Sequence, residues 1–127
     1  MRAGLLILSI TAALSLGAQA LADPVKPIYR VDSATVVVVK RHLVISANGA
    51  VRSGGWDHPR LWVREPSAPE AATLEVEFVA RPPAPREAVV QALLPVAVRK
   101  VARLPNYGTI RVKIIAETNS LVVPITR

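Results

Sequence analysis

Residues 73–80 alternate strictly, and that pattern constrains the fold more than any other stretch of the chain. Leu74, Val76 and Phe78 take one side, and Glu75, Glu77 and Val79 take the other. A period of two puts successive side chains on opposite faces of a strand and is incompatible with a helix. Residues 108–117 repeat it, with Ile110, Val112 and Ile114 against Arg111, Lys113 and Ile115. If the two strands are neighbours, acids on one face bases on the other, a contribution of roughly 0.2–1 kcal/mol per pair.

The rest of the chain is read around these two strands. Residues 34–39 are almost all β-branched. Lys40 and Arg41 form a tight polar connection, and 42–47 follow with Leu43, Ile45 and Ala47 on one face. Asn48-Gly49 and Gly54-Gly55 are both turn signals, yet they lie too close together to bound separate strands. Gly49 is therefore expected as a bulge or bend inside a strand running to about Arg52, and Gly54-Gly55 as the chain reversal. Residues 59–64 make a short strand, with Leu61 and Val63 opposite Arg60, Trp62 and Arg64. Residues 65–69 are a loop, and 81–85 a stiff, proline-rich, extended connector. Asn119-Ser120 turns the chain into a last strand, 121–125, where Pro124 suits only an edge or an end.

Residues 89–104 admit two readings. Val89, Leu93, Ala97, Val101 and Leu104 fall at helical spacing, with Arg99, Lys100 and Arg103 off that stripe. A short basic amphipathic helix would fit, but Pro95 in its interior would cost roughly 3 kcal/mol. The strand reading gives 89–94, an irregularity at the proline, and 96–101. Six to eight short strands with regular turn signals predict an all-β domain, a single β-sandwich of the immunoglobulin-like kind. The Cys…Trp…Cys signature of true immunoglobulin domains is absent.

The N-terminus reads differently. Arg2 precedes an apolar run from Leu5 to Leu16 that ends in Ala18-Gln-Ala-Leu-Ala22, then Asp23-Pro24. This is the pattern of a cleaved signal peptide over 1–22, which leaves 23–127 as one domain. The short basic region and the small-residue cleavage site point to bacterial export, to a periplasmic or secreted location. No later stretch is long and apolar enough for a transmembrane anchor. The chain has no cysteine. A lipid-bearing N-terminal cysteine, a disulfide framework and a thiol nucleophile are thus excluded, and the domain must hold by its core alone.

The charge is +7, and loss of Arg2 with the leader lowers it to +6. Such an excess favours acidic surfaces, including lipid head groups and anionic polysaccharide, although the bases are spread along the chain as solubility alone would have them. Nucleic acid is not an expected partner. No known nucleic-acid-binding pattern is present, and five aromatics offer little stacking surface.

Little of the sequence carries chemistry. Ser53, Asp57 and His58 can be written as a triad, but adjacent residues of an extended segment point apart, and Pro59 is expected to hold His58 extended. His42 and His58 are the only histidines, and no zinc-ligand spacing occurs. No metal, cofactor or catalytic residue is expected. Glu75 and Glu77 could in principle serve as a carboxylate pair, but an exposed strand face accounts for them. Trp56 is expected to cover the end of the core. Trp62, between Arg60 and Arg64, is the better candidate for a recognition surface. The candidate binding residues are therefore Arg60, Trp62 and Arg64, with Trp56 and His58 beside them.

Ser53-Gly-Gly-Trp56 with Pro59 and Leu61, then Glu77-Phe-Val-Ala80 with Pro82 and Pro83, then Ala116-Glu-Thr-Asn-Ser120 resembles a family of small, secreted, uncharacterised bacterial proteins. The likeness spans most of the mature chain. It implies an exported β-rich domain and brings no catalytic residues with it. The expected function is a non-enzymatic binding domain of the cell envelope, whose partner is an envelope protein or an anionic envelope polymer. A secreted inhibitor of a protease or glycosidase, presenting 65–69 or 81–85, is the first alternative. A small hydrolase is the second.

Overall fold

The computed structural model describes residues 24–64, 72–104 and 108–127. The expected signal peptide and the 65–69 loop lie outside the described residues. The order is β1 (Lys26–Pro27), β2 (Arg30–Val39), β3 (His42–Val51), β4 (Asp57–Val63), β5 (Thr73–Arg81), β6 (Leu94–Arg103), β7 (Arg111–Ile115) and β8 (Ser120–Pro124). The fold is all-β, with no helix among the described residues.

The strands form two sheets. In the five-stranded sheet β5 is central, with β4 on one side, β1 and β7 sharing the other, and β8 beyond β7. The three-stranded sheet runs β2-β3-β6. The alternation read from the sequence places both sheets around one core. Val36, Leu43 and Ile45 from one sheet meet Leu61, Leu74, Val76, Phe78, Val112 and Ile114 from the other. The expected neighbours are indeed neighbours. β5 and β7 pair in parallel, with Glu75 opposite Lys113.

Residues 89–104 resolve as strand, but not as two pieces. β6 begins only at Leu94, and 89–93 form no strand. Pro95 stands second in β6, which among the described residues pairs only with β3, so one of its sides asks for no N–H. The helical spacing was coincidental. Every second residue from Val96 to Ala102 is half-buried and those between are exposed, which is the signature of a strand.

Gly49 is no turn. It lies within β3 opposite Val31, and the irregularity expected there falls on the facing strand, where Asp32 is the extra residue between Val31 and Ser33. The bulge sits where the chain changes sheet. Ile28 N–H donates to the Phe78 carbonyl in one sheet, and Tyr29 N–H to the Ala50 carbonyl in the other.

The turn between β7 and β8 clasps this crossover. Glu117 N–H donates to the Ile28 carbonyl at 2.8 Å and Thr118 N–H to that of Tyr29 at 3.0 Å. Asn119 then pairs with Val31 as a strand would. Its Oδ1 accepts from Val31 N–H and its Nδ2 donates to the Val31 carbonyl, both at 2.9 Å. Replacing Asn119 by alanine leaves two partly buried backbone groups without partners. A loss of about 2 kcal/mol is expected in chemical denaturation, with little recovery in Asn119→Asp, whose second oxygen faces a carbonyl.

The β2–β3 hairpin closes on Lys40 and Arg41, both left-handed at φ 48° and 68°. This is the type I′ two-residue loop, with positive φ at both positions, which Asn-Gly supplies with little strain and Lys-Arg does not. The double substitution Lys40→Asn/Arg41→Gly should therefore raise stability by about 1–2 kcal/mol, read as a higher denaturation midpoint.

Candidate functional site

The candidate residues gather where β3 turns into β4. After Val51 the chain reverses through Gly54 and Gly55, as the sequence predicts, with Gly55 at φ 86°. A side chain at Gly55 would also collide with Pro83 and Val89, 2.7 and 2.8 Å from the Cβ position. Gly54 N–H donates to the Val90 carbonyl. The proline-rich segment after β5 thus lies against the glycine corner through Pro83, Val89 and Val90, while Ala84 and Pro85 are exposed.

Trp56 is half-buried and packs on the core, so it covers the end of the core as expected. It borders a small cleft of about 130 Å³ with Val51, Ala80, Leu94 and Val96. Ser53 is buried and its hydroxyl donates to the Gly54 carbonyl.

His58 departs from expectation. It is not extended but left-handed, at φ 52°, inside a bulge where Asp57 pairs with Arg81 and the ladder resumes at Arg60. The extra residue re-aims the strand. Consequently Asp57 and His58 do not diverge, and His58 Nδ1 lies 3.0 Å from Asp57 Oδ1. Asp57 also receives Arg81 in a fork, Nε on Oδ1 at 2.7 Å and a terminal nitrogen on Oδ2 at 2.6 Å. These hydrogen bonds, from Arg81 first and His58 second, hold the Asp57 carboxyl well below the usual range. The carboxylate is thereby occupied by a guanidinium, and Ser53 is bonded elsewhere, so no triad is assembled. The Asp57–Arg81 fork escaped the sequence reading, because the register of β4 on β5 depends on the bulge.

Arg60, Trp62 and Arg64 stand exposed on the outer side of the five-stranded sheet, Trp62 at 45%. Leu61 between them is buried, whereas Val63, expected on its face, is exposed. Arg64 lies across β5. Its Nε donates to Glu77 Oε2 at 2.9 Å and its Nη1 to Glu75 Oε1 at 3.1 Å. These bonds, to Glu77 above all, push the Arg64 pKa up. The expected partners of the two glutamates were Arg111 and Lys113. Instead Arg111 donates to the Thr73 hydroxyl, and one guanidinium from the opposite neighbour takes both acids. Exposed pairs of this kind contribute little stability. What they do is fix the Arg64 guanidinium over β5, two residues along the strand from Trp62. They also rule out the two acids as a free carboxylate pair.

No group of three or more metal-ligating side chains occurs among the described residues, and no helix there is long and apolar enough to cross a membrane. No family model, curated protein or solved structure matches the chain.

Proposed function

We propose that the chain is an exported, non-enzymatic binding domain of the cell envelope, freed by removal of residues 1–22 and folded as a β-sandwich of the immunoglobulin-like kind. The layering supports the fold class, since two sheets bury one core between them. The parallel β5–β7 contact and the five-to-three division of strands give it a strand order of its own. The leader-like N-terminus and the resemblance to small secreted bacterial proteins support export.

The observation that carries the binding reading is Trp62. A large aromatic is held on a strand, half in solvent, with Arg60 on one side and a doubly anchored Arg64 on the other. The core does not need it, and a rigid amphipathic ring between arginines is the composition of an interface hot spot. The partner is an envelope protein or an anionic envelope polymer. A photo-reactive residue at position 62 should form a discrete adduct in intact cells, and Trp62→Ala should weaken capture of that component by tenfold or more, roughly the effect of a hot-spot truncation. The absence of any discrete adduct would remove the reading. An adduct with one enzyme in fixed ratio would instead favour an inhibitor.

A further inference from the structure

The outer face of the three-stranded sheet has a different chemistry. Register sets its rows. Val37, Val44 and Val101 lie side by side, and so do Val39, His42 and Arg103, with Arg99 one row on beside Ser46. The valines are unusually bare, Val39 at 50% and Val101 at 58%. Lys40 and Arg41 project from the hairpin at this end, both exposed, as are His42, Arg99 and Arg103. β3 and β6 contain no acidic residue. β2 has only Asp32, at the far end of the sheet and bonded to Arg30 at 2.7 Å. On the opposite sheet Arg64 pairs with Glu75 and Glu77.

A second observation points the same way. Two cations occupy the hairpin positions where the backbone is left-handed and Asn-Gly would fold more stably. Strain kept at a place that stability alone would relieve is a reason to look for a use of those side chains.

We propose that this end of the three-stranded sheet docks on an anionic phospholipid surface. The proposal rests on the reading of the chain as an envelope protein and names one of its contacts. The mixture of side chains selects the occupant. Cations meet lipid phosphates, while exposed aliphatic side chains enter the interfacial layer. A sugar polymer or a nucleic acid would ask for a stacking platform of tryptophan, tyrosine or phenylalanine, and the face has none of these. Self-association is disfavoured, because two such faces would bring their cations together with no acid between them. Docked in this way, the protein would turn Trp62, on the outer side of the other sheet, away from the lipid.

The test uses the exported protein, its N-terminus established by mass spectrometry, and sedimentation with vesicles of phosphatidylcholine with or without phosphatidylglycerol. Binding should require phosphatidylglycerol and fall as salt is added. Lys40→Asn/Arg41→Gly should lower the partition coefficient about thirtyfold, as the removal of two surface cations implies. The same variant should be the more stable protein, so misfolding cannot explain the loss. Val39→Ser with Val101→Ser should weaken vesicle binding several-fold through the apolar contribution while leaving binding to soluble dextran sulfate unchanged. Trp62→Ala should leave vesicle binding as it is. Equal binding to neutral vesicles, no effect of the hairpin variant, or equal loss on vesicles and dextran sulfate in the valine variant would each overturn the proposal. So would loss of vesicle binding in Trp62→Ala alone. An uncleaved N-terminus would remove the envelope reading without altering the comparison among variants.

Discussion

Phe78→Ala is expected to destabilise the domain by about 3–5 kcal/mol, a large part of the roughly 5–15 kcal/mol that holds a domain of this size. Phe78 is the largest fully buried side chain among the described residues and lies near the centre of β5, which pairs with β1, β4 and β7. Its backbone also bonds the crossover through Ile28. Neighbours fixed by ladders on both sides cannot collapse into the space left by the ring, so the cavity cost adds to the lost burial. No cysteine is present to cross-link what remains. Thermal unfolding should shift down on the order of 20 °C, at several degrees per kcal/mol for a domain of about this size. Phe78→Leu, which fills most of the volume, should cost about 1 kcal/mol. If Phe78→Ala melted within a few degrees of the parent, the core drawn from both sheets could not be what holds the fold.

Gly49→Ala is expected to cost about 3 kcal/mol, although it adds one methyl group to a strand that nominally prefers side chains. The added Cβ would fall inside contact distance of the Arg30 carbonyl oxygen and 2.6 Å from Ile28 Cδ1. Neither can retreat. Ile28 is fully buried, and Arg30 sits in the ladder beside the Asp32 bulge. Gly54→Ala is the matched control. There the nearest atoms stand 3.7–4.0 Å away, ordinary contact, and the change should stay within about 0.5 kcal/mol. Chemical denaturation of the two variants side by side separates close approach from any general intolerance of glycine replacement. Equal midpoints would mean that the crossover is not packed against β3 as described.

The parts of this fold that were legible in the sequence are those where one local rule acts without a rival. Alternation from Leu74 to Phe78 and from Val112 to Ile114 identified two strands, and their opposed charges suggested the pairing, whereas Ile110, expected on the buried face, precedes β7 and is 50% exposed. Gly54-Gly55 was legible as the reversal because only glycine suits Gly55. Gly49 was legible as a position inside a long strand because Gly54-Gly55 follows too closely for a second turn, and it lies within β3 opposite the irregularity at Asp32. Where tertiary contacts set the local geometry, the rules misled. Pro59 was expected to keep His58 extended, but the β4 bulge, fixed by the fork between Arg81 and Asp57, overrides that preference. The candidate site divides in the same way. The exposure of Arg60, Trp62 and Arg64 follows from strand parity. The capture of Arg64 by Glu75 and Glu77 depends on a strand order that no local pattern encodes. Asn119 was legible only as a turn residue, because its partner, Val31, is 88 positions away.

That separation has a kinetic consequence. Val31 cannot gain its partner until the β7–β8 turn has been synthesised, and the seam where Val38 N–H donates to the Thr126 carbonyl and Thr126 N–H to the Val36 carbonyl closes later still in chain order. In a polypeptide emerging from its N-terminus, the edge of β2 that bonds residues 119 and 126 therefore stays open until those residues are made. Once complete, the chain should be a slow folder, because its decisive contacts join segments remote in the chain and loop closure must precede them. If the chain is exported as proposed, such delay would keep it threadable for as long as the passage takes.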